Sequence, residues 1–356
     1  MIPEPWRTSH PDFPWLSASD PEFIARILSR LDVIDRDASL LSVEKAGEGN
    51  MNLTLRVTTD NDSVILKQSR PWVEKYPQIE APWDRALAEQ RFYTTAAHIP
   101  GVHQRMPDLL AADAEARILV LEDIPEATDL TDVYHGIPID DDELRQLGTF
   151  AASLHAQDPP SDTDAFANRE MRRLNHQHIF IIPLQPGAVA GMGLDLDALE
   201  PGLAAAAALT QADDKLLDIA LRTGDRYLAD GPRLVHGDYF PGSFLRTPDR
   251  GIFVIDPEFG FLGDPSFDLA VFVAHLALAS QPQYTAEVFL DAYLATDNAP
   301  EVDPILLARY AACETIRRII GVAQLPLPTP SHGSRADLLL AARAAATTGR
   351  YEALWA

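Results

Sequence analysis

The segment LVHGDYFPGSF (234–244) runs from an apolar stretch into His236, Gly237 and Asp238, and IFVIDPEFGF (252–261) runs from a second apolar stretch into Asp256, Pro257 and Glu258. A carboxylate in a loop that follows a strand can accept or orient the proton of an attacking hydroxyl. Two carboxylates spaced two residues apart point to one side while the chain stays extended. If the two apolar stretches are neighbouring strands, Asp238, Asp256 and Glu258 reach one edge. Carboxylates so crowded repel one another unless a cation lies between them. Their oxygens suit Mg²⁺, which keeps several waters and bridges nucleotide phosphates. The chemistry this predicts is phosphoryl transfer, with Asp238 catalytic and Asp256 and Glu258 as metal ligands. A single aspartate in such a loop is commonly only a cap; the constellation carries the reading. His236 is expected to bond the loop backbone, and Asp268, in GDPSFDLA, to brace the same loop from a helix start.

A phosphoryl donor needs groups of its own. In KAGEGNMNL (45–53), Gly47 and Gly49 stand between two strand-like runs, where glycine lets backbone N–H groups approach phosphates. No Gly-Lys-Ser/Thr follows, so this is not a Walker A loop. Lys67 ends the apolar run VILKQ, and Glu89 falls on the next predicted helix. A lysine on the third strand paired with a glutamate on the following helix is the protein-kinase arrangement for the α- and β-phosphates. LVLED (119–123) would be the last strand of this region, with backbone groups near Glu122 and Ile124 available to adenine.

The elements that must position these groups follow from periodicity. A helix is expected over 20–31 with Asp20 as N-cap and Pro21 at its start. Strands are expected over 40–46, 52–59, 63–68 and 117–124, with DND (60–62) as a hairpin turn. Residues 70–83, with three prolines and two tryptophans, read as a long loop, and a helix follows over about 84–97. Beyond 127 the pattern is helical, over 141–156, 166–180, 196–209, 212–229, 266–280, 284–295, 302–323 and 335–349, interrupted by the pair of strands around the carboxylates. This predicts an α+β fold in two lobes. Residues 1–123 would form a small antiparallel-sheet lobe with one main helix, and 124–356 a larger, mostly helical lobe, with ligands bound in a cleft between them.

Composition narrows the partners. The net charge of −24 makes nucleic acid a poor partner. No run of 18 apolar residues predicts a membrane span, and the N-terminus lacks the basic start and apolar core of a signal peptide. The lone Cys313 excludes an intramolecular disulfide. A cytoplasmic enzyme is the expectation. Only four lysines, Lys45, Lys67, Lys75 and Lys215, stand among 29 basic residues, which singles out Lys67 further.

The segment LVHGDYFPGSF…VIDPEFGFLGDPSFDLAVF resembles the aminoglycoside phosphotransferase and choline kinase-like group, and LRQLGTFAASLHAQ (144–157) is similar to that group's Leu-His helix. Within it, the chain resembles the S-methyl-5-thioribose kinase branch. GEGNMNLTLRV is similar to that branch's glycine loop, including Asn50, and ILKQSRPWVEKY to its lysine strand. ETIRRIIGVAQ (314–324) is similar to its segment with twin arginines, Arg317 and Arg318. Ser243 stands where most of the wider group has asparagine, as it does in this branch. Tyr239, Phe240, Pro241, Gly242 and Ser243 replace the branch's usual Leu-His-Thr-Gly-Ser. The resemblance implies a two-lobed protein-kinase-like fold and an ATP- and Mg²⁺-dependent kinase of a small sugar, 5-methylthioribose, phosphorylated at its anomeric oxygen. ATP would be held by Gly47, Gly49, Asn50, Lys67, Glu89, Glu122, Ile124 and Ser243. Arg317 and Arg318 would contact the sugar beside Asp238, with Trp83 and Phe240 as aromatic neighbours of its alkylthio tail. Related kinases are often dimers, so a homodimer is implied as well. The alternatives are a kinase of the same fold acting on an aminoglycoside or another hydroxyl compound, and a catalytically inactive nucleotide-binding protein. A phosphoesterase with two metals normally needs histidine-rich ligation, which the ten scattered histidines do not suggest.

Overall fold

Alternating burial along the strands builds the first unit. The computed structural model describes residues 2–356 apart from 36–37, 48–50, 326 and 328–333, and the chain divides into two units, Met1–Glu126 and Ala127–Ala356. After α1 (Glu4–Ser9) and α2 (Pro21–Arg30) come β1 (Leu40–Lys45), β2 (Leu53–Thr59) and β3 (Ser63–Gln68). The Asp20 carboxylate caps α2 by accepting from the Phe23 amide at 3.0 Å, as expected. β4 (Trp72–Val73) and β5 (Tyr76–Glu80) form a small antiparallel hairpin inside the segment expected to be a loop. Then follow α3 (Arg85–Ala96), α4 (Pro100–His103), β6 (Leu109–Asp113) and β7 (Ile118–Glu122). The main sheet has the order β1-β2-β3-β7-β6, antiparallel throughout. β6 was not expected: its LLAAD sequence has little of the branched and aromatic content that marks a strand.

One face of this sheet supplies Leu55, Val57, Val64, Leu66, Ile118 and Val120, which bury Ile24, Ile27 and Leu28 of α2. Side chains alternate between faces, so Lys67, next to Leu66, must project from the opposite face, where α3 packs.

The second unit opens with β8 (Thr128–Asp129) and is then mainly helical: α5 (Asp141–His155), α6 (Arg169–His176), the short α7 (Ala188–Gly191) and α8 (Leu196–Leu199), α9 (Leu203–Gln211) and α10 (Asp214–Leu228). The expected helix over 196–209 is two helices, because Pro201 and Gly202, with φ +89°, interrupt it. α6 continues into a π-helical turn over Gln177–Ile181. Next come β9 (Arg233–Val235), β10 (Phe244–Thr247), β11 (Gly251–Val254) and β12 (Phe261–Gly263), then α11 (Ser266–Leu278), α12 (Gln283–Leu294), α13 (Pro304–Ile320) and α14 (Arg335–Thr348). α11 is buried on every side, with α13 packed along it. α5 lies so close to α12 at Gly148 that a Cβ there would sit 2.4 Å from the Phe289 carbonyl oxygen.

The expectation that the two strands bearing the carboxylates neighbour each other is overturned. β9 pairs with β12, whereas β11 pairs with β10, which in turn pairs with β8. Each strand is only three or four residues long, too short for its own sequence to specify which segment it pairs with. The loops are joined by other means.

Candidate active site

In the second unit, Asp238 follows a turn that requires glycine. Gly237 has φ +81°, and a Cβ on it would lie 2.2 Å from the Phe259 carbonyl oxygen. The turn is held by Asp268 at the start of α11, whose two carboxylate oxygens accept from the His236 amide (2.6 Å) and the Gly237 amide (2.9 Å). The Nε2–H of His155, at the end of α5, donates to the same carboxylate at 3.0 Å, and Tyr293 lies 3.2 Å from the other ring nitrogen. Asp268, His155 and Tyr293 are fully buried, so these charge-assisted bonds act where water does not compete.

His236 has the structural role expected of it. Its Nε2 donates to the Ile255 carbonyl at 2.9 Å and its Nδ1 faces the Asp238 amide at 3.4 Å. Burial holds its pKa below the ordinary value, so the ring stays neutral with one donor and one acceptor. This bond, with the Ile255 amide donating to the Ser243 carbonyl at 2.9 Å, ties the Asp238 loop to the Asp256 loop. The Ser243 hydroxyl donates to the Asp238 carbonyl at 2.8 Å. Its proton is thus committed to shaping the turn, and a ligand is offered only the oxygen's lone pairs.

Asp256 is one of few non-glycine residues with left-handed backbone, at φ +60° and ψ +51°. Such a conformation costs energy and persists where surroundings impose it, often at functional sites. Glu258 is buried, and Asn168 Nδ2 donates to its carbonyl (2.9 Å) and to that of Gly260 (3.0 Å), bracing the turn. Burial lifts the Asp238 carboxyl to about 6; Arg318 and Arg317 pull it down, while Glu314 and Glu258 push it up.

Arg317 and Arg318 end α13. Adjacent helical residues diverge by about 100°, yet both guanidinium groups converge on Glu314, three and four residues earlier. Arg317 Nη1 bonds Oε2 at 3.0 Å and Arg318 Nε bonds Oε1 at 2.6 Å. The i,i+3 and i,i+4 spacings put both on Glu314's side of the helix. Arg318 Nη2 then reaches within 3.8 Å of Asp238 Oδ1. The Phe240 ring lies under the Arg318 guanidinium, at 4.9 Å, and 5.2 Å from the His275 ring. Among the described residues, the Arg317 Nε has no hydrogen-bond partner. Of the aromatic pair at 239–240, only Phe240 belongs to this cluster. Tyr239 is fully buried and donates to the Leu147 carbonyl at 2.8 Å, so it does not shape the surface beside Asp238.

In the first unit, Lys67 Nζ donates to Glu89 Oε1 at 2.7 Å, with both side chains buried. Gly47 has φ +67°, a conformation that favours glycine; Gly49 and Asn50 lie outside the described residues. The Glu122 amide donates to the Asp108 carbonyl at 2.9 Å, and Ile124 is buried two residues on. Trp83 is built into an aromatic cluster: it stacks on Trp15 (5.7 Å, 5°), meets Trp6, His10 and Phe13, and donates its indole N–H to the Ser69 carbonyl.

Several residues escaped the sequence reading. Arg85 is buried and donates to the carbonyls of Met51 (2.8 Å) and Arg70 (2.7 Å) and to Asn52 Oδ1 (3.0 Å), fixing the exit of the glycine-containing segment. Glu314 and His275 are titratable residues inside otherwise apolar helices, AACETI and FVAHLAL. That placement was the available signal.

A β-sheet unit with a buried lysine–glutamate pair and a helical unit with a braced aspartate loop define a kinase-like phosphotransferase. Residues 42–305 match the phosphotransferase enzyme family, and the chain belongs to that family. It is similar to the methylthioribose kinase of Exiguobacterium sibiricum, 25% identical over 330 residues covering 80% of each chain. It is likewise similar to that of Geobacillus kaustophilus, 27% identical over 344 residues covering 82% of this chain and 81% of the relative. Among solved structures, a spectinomycin phosphotransferase in complex with ADP and spectinomycin superposes with a TM-score of 0.54 at 16% identity, covering 94% and 97% of the two chains. A choline kinase from Streptococcus pneumoniae superposes with 0.51 at 16% identity, covering 94% and 99%. These likenesses show the kinase-like fold. Among the described residues, no helix is long and apolar enough to cross a membrane.

Proposed function

We propose that the chain transfers the γ-phosphoryl group of ATP to a hydroxyl of a small neutral sugar, 5-methylthioribose or a close deoxy-sugar analogue. The observation that carries this is Asp238: a largely buried carboxylate held by a braced turn, with an arginine 3.8 Å away. In its ionised form it orients the acceptor hydroxyl and takes its proton as the oxygen–phosphorus bond forms. The bond to the β-phosphate oxygen breaks and ADP leaves. Arg318, and Arg317 through its unsatisfied Nε, offset negative charge on the transferring group and bond sugar oxygens. Phe240 offers an apolar face to an alkylthio tail.

Asp256 and Glu258 fit a magnesium ion by their chemistry, because Mg²⁺ is commonly held by one or two carboxylates with substrate phosphates and waters filling the rest. Among the described residues no group of three or more His, Cys, Asp or Glu side chains is placed to hold a metal ion, so Asp238 is not a third ligand with this pair. When bound, the ion neutralises phosphate charge. Lys67, held by Glu89, and the backbone around Gly47, Gly49 and Asn50 would take the phosphates. Backbone groups at Glu122 to Ile124 would take adenine, and Ser243's oxygen would take part from the catalytic turn.

The arginines also bear on the alternative acceptors. Two buried guanidinium groups beside the acceptor-orienting aspartate disfavour a polycationic aminoglycoside. A coupled ADP-release assay over 5-methylthioribose, related deoxy sugars, choline and aminoglycosides tests the proposal. Turnover of the neutral sugars is expected; turnover of cationic acceptors alone would overturn the acceptor class, and turnover of none would favour the inactive nucleotide-binding reading. Asp238→Ala should abolish turnover while ATP still binds.

A further inference from the structure

Behind the arginines lies a chain of buried polar groups that the proposed chemistry does not itself touch. Glu314 is fully buried on α13. Besides the two guanidinium groups, its Oε1 receives His275 Nε2 from α11 at 3.3 Å. The other ring nitrogen of His275 meets the Tyr134 hydroxyl, which comes from the turn of 3₁₀ helix over Leu130–His135. Burial holds the His275 pKa at about 4, so the ring is neutral. A neutral ring can serve a carboxylate only with its proton on Nε2. The Tyr134 hydroxyl must then donate to Nδ1, so the chain has one direction: Tyr134 to His275 to Glu314.

The charges in this cluster balance: Asp238 and Glu314 against Arg317 and Arg318. The distances do not. Arg318 gives its short bond, 2.6 Å, to Glu314 and stays 3.8 Å from Asp238, beyond hydrogen-bond reach. A guanidinium that near a buried carboxylate would ordinarily close to about 2.8 Å and occupy it.

We propose that Glu314 is a positioning residue that restrains Arg318 from closing onto Asp238, leaving Asp238 open to the acceptor hydroxyl, and that His275 and Tyr134 fix Glu314 in that role. This rests on the reading of Asp238 as the group that orients the acceptor.

The test joins a structure to kinetics. In a crystal structure of Glu314→Gln, Arg318 is expected to move from 3.8 Å into direct contact with Asp238. With ATP and 5-methylthioribose, kcat should fall about 100-fold, the loss typical of a displacement near 1 Å, while the KM for ATP changes little. In an Arg318→Gln background the same substitution should cost much less than it does alone, because only the Arg317 guanidinium is then left for Glu314 to hold. Tyr134→Phe keeps the ring and removes only the hydroxyl. It should lower kcat while the melting temperature falls by only about 2–12 °C, the cost of one unsatisfied buried acceptor, so the protein stays folded at the assay temperature; it decides the matter if Glu314→Gln does not fold. The proposal is overturned if Arg318 stays in place in the variant, if the Glu314 and Arg318 losses multiply, or if Tyr134→Phe leaves kcat unaltered. If the wild-type protein does not turn over 5-methylthioribose, the acceptor reading fails, and the Arg318 to Asp238 distance in the variant still decides this inference.

Discussion

Replacing Asp268 by asparagine removes one charge and turns one acceptor into a donor at the point where the catalytic turn is held. The geometry sets the size of the effect. The favourable amide orientation places its oxygen where Oδ2 now accepts from the His236 amide and from His155 Nε2. The amide NH₂ then faces the Gly237 N–H, whose 2.9 Å bond is lost. Leaving that buried N–H unsatisfied costs about 1–3 kcal/mol, and turning two charge-assisted bonds into neutral ones costs about 1 kcal/mol each. The sum is about 3–5 kcal/mol. For a unit of this size it corresponds to a fall of about 6–20 °C in melting temperature. Because Gly237 carries Asp238 with it, kcat should fall about 100-fold. Differential scanning calorimetry and the coupled ADP assay on the same preparation read both. A variant with melting temperature and kcat within experimental error of wild type would show that Asp268 does not hold the turn.

Lys67→Met leaves Glu89 buried without its 2.7 Å partner, so stability measured by urea unfolding should fall by about 3–5 kcal/mol. Adding Glu89→Leu should restore most of that stability but none of the ATP turnover. The free-enzyme profile of kcat/KM should rise with pH through about 6, because burial lifts the Asp238 carboxyl to that value and only the ionised form accepts a proton. The stability linkage runs the other way: this group's contribution is complete below its ordinary value of 3.8 and is lost as pH rises through about 6. Asp238→Asn should remove the inflection from unfolding free energies measured across that range. Gly237→Ala should yield inactive or unfolded protein, since its Cβ would meet the Phe259 carbonyl oxygen at 2.2 Å; wild-type kcat in that variant would contradict the turn geometry.

Much of the site was legible because its chemistry is local in sequence. His236-Gly237-Asp238 and Asp256-Pro257-Glu258 bring their carboxylates by short loops at strand ends, and Lys67 is fixed to one sheet face by alternation. Helix caps such as Asp20 were equally readable, since a cap is satisfied within three residues. The hairpin at 72–80 was not, because Pro71, Pro77 and Pro82 mark its segment as a loop, and the strand at 109–113 was not, because LLAAD has weak strand preference.

By itself, then, the amino-acid order determined which groups could do chemistry and on what kind of element each stands. Only the tertiary structure decided their partners. The strands flanking the two carboxylate loops pair with other segments, and the loops meet through His236 and Ile255. Tyr134 and His275, 141 positions apart, join Glu314 behind the arginines. A buried polar group takes whichever donor or acceptor the packing of helices delivers within about 3 Å, and that delivery has no period or spacing in the chain from which it could be read.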